Sequence, residues 1–293
     1  MLPKNQPVSI AIGFCPLQAS GNRRLPDIYD MKTHPRTVLI VTAIFSLLLL
    51  SAACSLNDLK TPERRERGLV IVLPGIEGPS YWNYNLARGL ADGGVENAIE
   101  IYDWGTRIPG GMLINLAAYE RNRTMAASLR DYIVTYLKDH PGRDVHVIGH
   151  SGGGGIAVLA AEMLPADRPI SSVILLAAAL SPDYDLRPAL KNTRRGIFNY
   201  YSHLDAAFLG VGTSVAGTID RKHTPAAGAV GFDRPGSESS DGDLYRKLQQ
   251  IKWDPKMRGY GHMGDHMGWT QPAFVRRYLA PLVAELGRPD DFE

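Results

Sequence analysis

The chain has 293 residues, enough to bury one substantial core. Its 32 basic and 30 acidic side chains leave a net charge of +2, so it lacks the concentrated basic face that nucleic-acid phosphates require. The two cysteines, Cys15 and Cys54, form no Cys-x-x-Cys pair, which leaves zinc binding and dithiol redox chemistry without a basis in the sequence.

Residues 38–50 are an apolar run ending in four leucines, with Lys32 and Arg36 before it and Ser51, Ala52 and Ala53 after it. Positive charge, short apolar stretch and small residues, in that order, describe a secretory signal. The run is shorter than the roughly 20 apolar residues of a membrane-spanning helix. Residues 1–30 do not belong to such a signal, and Met31 stands where one would begin, so translation is expected to start there. Leu50-Ser51-Ala52-Ala53-Cys54 resembles the bacterial lipobox, with Ser51 where leucine is usual. The resemblance implies cleavage before Cys54 and lipid on its thiol, hence an exported lipoprotein anchored to a membrane of the cell envelope. An ordinary cleaved signal and an uncleaved anchor are the alternatives. Residues 55–67 are polar, and Arg64, Arg65 and Arg67 alternate with Glu63 and Glu66. This composition predicts a solvated tether, with contact to anionic lipid as the alternative.

From residue 68 onward, short apolar runs alternate with amphipathic stretches. Strands are expected at 69–73, 98–102, 145–148, 172–177 and 197–201. Leu129, Tyr132, Ile133, Tyr136 and Leu137 share one helical face, closed by His140-Pro141-Gly142. Residues 156–164 are apolar nearly all round, as in a buried helix, and Pro165 ends them. Val275, Tyr278, Leu279, Leu282, Val283 and Leu286 mark a last amphipathic helix. Such alternation predicts an α/β domain over 68–293, with a mostly parallel central sheet and helices on both faces. Residues 210–242 are rich in small residues and proline without a period, and are expected to be an irregular insertion.

Gly149-His150-Ser151-Gly152-Gly153 follows a strand and opens a helix. A turn that tight strains the serine backbone and leaves no room for neighbouring side chains, which the glycines remove. The N–H groups that begin the helix, that of Gly152 first, are placed to hold a developing oxyanion. No lysine follows the glycines, so a phosphate-binding P-loop does not fit. A dinucleotide site would want an acid at the end of the next strand, where Leu176-Ala177-Ala178-Ala179 has none.

On these residues the chain resembles the α/β-hydrolase family, with its lipases and esterases, over about 68–286. The usual N-terminal strand pair of that family has no counterpart here. The resemblance implies a Ser–acid–His triad in that chain order, with Ser151 as nucleophile. It also implies an oxyanion amide from the loop after the first strand, Leu73-Pro74-Gly75-Ile76, for which Ile76 is chosen. The acid is Asp205, in Ser202-His203-Leu204-Asp205 after the strand at 197–201; Asp183 and Asp185 are the alternatives. The histidine is His266, just before the last helix, with His262 as its rival. His262, Asp265 and His266 also form a weak candidate metal cluster. His150 is expected to line the entrance, and His223 to be a surface residue. Tyr81, Trp82, Tyr102, Trp104 and Trp269 are expected either to rim an apolar acyl pocket or to serve as ordinary packing. Residues 105–115 or 210–242 are candidates for a lid. Together these imply a serine hydrolase acting on small-molecule or lipid esters, with no cofactor or metal and no nucleic-acid partner. Acyl transfer on the same fold and a non-catalytic envelope-binding lipoprotein are the rival functions.

Overall fold

The apolar runs assemble as parallel strands because every connection is long enough to carry the chain back across the sheet, through whole helices in the first half of the chain and through short helices and loops after it. The computed structural model describes residues 56–108, 111–207, 217–235 and 241–287. Its strands are β1 (Leu69–Leu73), β2 (Ala98–Ile101), β3 (Val145–His150), β4 (Ile170–Leu176), β5 (Thr193–Tyr201) and β6 (Leu248–Lys252). They pair in the order β2-β1-β3-β4-β5-β6, all parallel. Every residue of β1, β3 and β4 is buried. Successive side chains on a strand point to opposite faces, so both faces of the sheet centre are covered.

The helices that matter for the site are α1 (Pro62–Arg65), α2 (Tyr81–Asp92), α3 (Gly111–Ala117), α4 (Tyr119–Asp139), α5 (Gly152–Glu162), α6 (Arg187–Lys191) and α7 (Ala280–Leu286). Five of them form two packed groups. One is α2 with α7 and the π-turn Val275–Leu279 before it; the other is α4, α5 and α6. α5 is buried along nearly its whole length, as its unbroken apolar sequence requires.

Strand order decides where a site can form. The chain steps from β1 outward to β2, then returns past β1 to β3 and continues the other way. The connections leaving β1 and β3 therefore diverge, and a crevice opens between them at the carboxyl ends of the strands.

The structure differs from the sequence reading in three places. The stretch expected as a free tether packs on the outer edge of β2. Ile99 N–H donates to the Leu59 carbonyl (2.8 Å), and Leu59 is buried in the main core. Arg64 donates to the carbonyls of Val95 (2.5 Å) and Asn97 (3.1 Å), and Arg65 pairs with Glu100 (2.5 Å) and Tyr132 (2.9 Å). An edge strand exposes unpaired backbone groups, and this segment covers them. The second difference is β6, for which no strand was expected. It is an edge strand reading Leu-Gln-Gln-Ile-Lys, buried mainly at Leu248, so no continuous apolar run announces it. The third concerns the insertion at 210–242. Its described part folds back over the end of β4, with Ile219, Ala227 and Gly228 N–H donating to the carbonyls of Ala179, Leu180 and Ala178. Ile219, Ala226, Ala227, Ala229 and Phe232 belong to the core.

The apolar run at 38–50, Cys15, Met31, Cys54, and the segments 208–216 and 236–240 lie outside the described residues. Among the described residues no helix is long and apolar enough to cross a membrane. The docked segment 56–67 generates a prediction. Leu59→Ala is expected to destabilise the domain by about 2 kcal/mol, as removal of a buried leucine side chain does, and to lower the urea midpoint. An unchanged midpoint would mean that the segment is a tether after all.

Candidate active site

Ser151 joins β3 to α5 with φ 53° and ψ −121°. A side chain at positive φ is strained, and the surroundings hold it there. Ser151 N–H donates to the Leu176 carbonyl (2.9 Å), and its own carbonyl accepts from Gly154 and Ala179 (both 3.0 Å). The glycines around it are required by contact. A Cβ at Gly149 would stand 2.5 Å from the Gly153 carbonyl oxygen, and one at Gly153 would overlap the carbonyls of Leu73 and Pro74. The loop after β1 thus lies directly against the first turn of α5.

That loop carries Ile76. A Cβ at Gly152 would stand 2.7 Å from Ile76 Cγ2, so the two candidate oxyanion residues are neighbours. The loop's carbonyls are tied down elsewhere. Trp104 Nε1 donates to Pro74 O (2.8 Å), Asn115 Nδ2 to Ile76 O (2.7 Å), and Gly78 N–H to Gly75 O (3.1 Å). Because a trans peptide points its N–H opposite its carbonyl, the bond to Gly75 O turns the Ile76 N–H away from the turn. Asn122 Nδ2 in turn donates to Asn115 O (2.8 Å), and Arg121 to Trp104 O (2.8 Å). The sequence reading did not single out Asn115; a lone asparagine on a helix carries no signal of such a role. Trp104 and Trp269 are fully buried, so these two are packing residues and not part of an exposed rim.

Asp205 lies on the 3-10 turn His203–Ala207 that follows β5, and His266 in the loop between β6 and the last helix. The structure brings them together: His266 Nδ1 stands 2.7 Å from Asp205 Oδ2, with both side chains nearly inaccessible. Ser202 Oγ also donates to the Gly264 carbonyl (2.8 Å), fastening the two loops. Gly264, at φ 96°, allows the close approach of Leu204.

The rival residues are placed apart. Asp183 is exposed and paired with Lys222, and Asp185 is paired with Arg187. His262 is buried against Trp269 and Phe274, and its Nδ1 accepts from Gly264 N–H (3.1 Å). Asp265 caps the following turn through Gly268 N–H (2.6 Å). His223 is exposed, as expected. His150 does not line an entrance. It is fully buried, with Nε2 3.0 Å from the His266 carbonyl oxygen and its ring 4.7 Å from that of His266.

Burial sets the protonation of this cluster. Desolvation lowers His266 and His150 from the usual 6.5 to about 4, and His262 to about 3. All three rings are therefore neutral at neutral pH. Desolvation, with the charge of Asp265, pushes the Asp205 carboxyl upward, and the hydrogen bond from His266 Nδ1 opposes that shift. A neutral imidazole that donates its Nδ1 proton to Asp205 carries an unprotonated Nε2, the form that can accept a proton.

A family model described as "alpha/beta hydrolase fold" matches residues 100–214. No curated protein matches. Among solved structures, Est1E from Butyrivibrio proteoclasticus is 14% identical, with a TM-score of 0.46 over 78% of this chain and 91% of that one. Aspergillus fumigatus lipase B is 14% identical, with a TM-score of 0.45 over 79% of this chain and 55% of that one. Trichoderma reesei cutinase, in complex with a C11Y4 phosphonate inhibitor, is 14% identical, with a TM-score of 0.41 over 82% and 85%.

The fold is the α/β-hydrolase fold. Within it, Ser151, Asp205 and His266 follow β3, β5 and β6, all at the carboxyl end of the sheet, and the residue before Ser151 touches His266. The buried histidines generate a prediction that does not depend on activity. In a histidine-ring NMR titration, the signals of His150, His262 and His266 are expected to stay in the neutral form down through pH 6. A ring titrating at 6.5 or above would show that water or a carboxylate holds it charged.

Proposed function

We propose that this protein is a serine hydrolase that cleaves carboxylic esters through an acyl-enzyme on Ser151. The observation that carries the reading is the buried Asp205–His266 hydrogen bond, brought to the same end of the sheet as a strained serine at a helix N-terminus.

In this reading His266 Nε2 takes the Ser151 hydroxyl proton as Oγ attacks the ester carbonyl. Asp205 keeps the proton of the neutral ring on Nδ1 and stabilises the imidazolium that forms. The negative charge on the carbonyl oxygen is met by the N–H groups of Ile76 and Gly152, one from each side of the crevice between β1 and β3. Collapse of the tetrahedral intermediate passes the proton from His266 to the leaving alcohol. Water, deprotonated by the same ring, then releases the acid and frees Ser151. The network of Trp104 and Asn115 around the Ile76 loop supports this reading, because an oxyanion donor acts well only when it is already oriented.

We further propose that the chain is exported under the signal at 31–53 and acylated on Cys54, which the order of charge, apolar run and small residues supports.

Two predictions follow from these roles. Turnover of p-nitrophenyl esters by the full chain is expected to fall by at least about 10³-fold in Ser151→Ala, while Asp183→Asn leaves it unchanged. Well-folded protein that neither turns over esters nor reacts with a fluorophosphonate would be a binding protein, and acyl-ester product on addition of alcohol would mark a transferase. For the anchor, mass spectrometry of protein from membranes is expected to show an N-terminal peptide that begins at a lipidated Cys54. An unmodified Cys54 would reject that part.

A further inference from the structure

His150 is not needed to make the elbow, which depends on glycines and on the serine backbone, yet it is the last residue of β3 and is completely buried. Its Nε2 lies 3.0 Å from the main-chain oxygen of His266. A carbonyl oxygen can only accept, so this Nε2 carries the proton and donates it. The other ring nitrogen, Nδ1, has no partner among the described residues. The imidazole is therefore held by a single directed hydrogen bond, and that bond ends on His266.

The sheet itself does not provide this connection. His266 sits in the loop after β6, while Ser151 follows β3, and β4 and β5 lie between them in the sheet. Asp205, from the loop after β5, orients the His266 ring through Nδ1. That contact fixes the ring relative to β5 and not relative to the serine. The His150 bond runs from the serine's own strand to the histidine's own backbone, and the two rings lie 4.7 Å apart at 46°.

We propose that His150 is a positioning residue that sets the separation between Ser151 and His266 by holding the His266 carbonyl. The proposal rests on Ser151 and His266 acting as nucleophile and base. Proton transfer between such a pair depends steeply on distance, and a displacement of about 1 Å can cost on the order of 10²-fold in rate. The contact bears on the reacting pair and not on substrate, so its loss acts on kcat and leaves KM almost unchanged.

Three variants of the full chain test this. His150→Gln places an amide N–H near the position of the histidine Nε2 and keeps the bond. His150→Asn is polar but too short to reach it. His150→Leu fills the space without a donor. Each is assayed for kcat and KM with p-nitrophenyl acetate and for the rate of labelling by a fluorophosphonate, with the melting temperature and the low-field proton of the His266–Asp205 bond as controls. The Asn and Leu variants are expected to lose about 10- to 100-fold in kcat and labelling rate, with KM within about threefold and the low-field proton retained. The Gln variant is expected to recover to within about fivefold of the wild type. Wild-type kcat in the Leu or Asn variant, a Gln variant as slow as the other two, or a change in KM alone would overturn the proposal. Should the Leu variant fail to fold, the Asn and Gln pair decides. A wild type that no fluorophosphonate labels overturns the serine-hydrolase reading and this proposal with it; a labelled wild type matched by its Asn variant overturns this proposal alone.

Discussion

Where the last carbonyls of β1 meet the first turn of α5 there is no room for a Cβ, and the rest of the site is arranged around that contact. Glycine at 153 lets α5 start against Leu73 and Pro74, and glycine at 149 lets the chain turn back on itself within a few residues. The turn forces Ser151 to positive φ. Holding a residue in that conformation costs of order 1–3 kcal/mol, and left unsupported it would relax. Here the Ser151 peptide groups are bonded on both sides, to the carbonyl of Leu176 and the amide of Ala179 at the end of β4. The strain is therefore supported by the sheet, and Ser151 is held, nearly buried, at the carboxyl end of the strands beside the loop after β1.

Three loops from distant parts of the chain must then agree on one geometry. Each is fastened by polar side chains acting on backbone. Trp104 and Asn115 hold the loop after β1, Ser202 ties the Asp205 turn to Gly264, and His150 reaches the carbonyl of His266. Buried directional bonds of this kind specify position more sharply than apolar packing does, because leaving any one of them unmade costs the full desolvation of its groups. The same burial keeps the histidines neutral.

Much of this was legible in the sequence, for identifiable reasons. Runs such as Leu69–Leu73 are apolar on both faces because both faces are covered, and a glycine pattern around a serine is legible because contact, and not chance, demands it. Asp205 and His266 were chosen because the resemblance expects an acid and a histidine in the loops they occupy, and the folded chain brings their side chains within 2.7 Å of each other. What stayed hidden depends on contacts made across the fold. Asn115 and His150 act through hydrogen bonds to residues that only the folded chain brings near. β6 lies at an edge and needs no apolar run. Leu56 and Leu59, three apart in a polar segment, were a faint sign that it packs, outweighed by the charged residues beside them. Those charges proved to be structural, since Arg64 and Arg65 turn inward to carbonyls and a carboxylate.

The strap along β2 also has a mechanical consequence. Residues 59–64 pass β2 in the opposite direction, from the Leu59 carbonyl at Ile99 to the Arg64 side chain at Val95. A pull applied at residue 56 would meet its fastenings in series. The Leu59 carbonyl and its buried side chain would be loaded first, the Arg64 fork next, and the Arg65 pairs with Glu100 and Tyr132 after it, as in unzipping. Only then would tension reach β1, which lies inside the sheet and shares its load along five paired positions with β3. The strap thus takes load before the strands do, so a pull from its N-terminal side is spent first on its own fastenings and only afterwards on the register of the sheet.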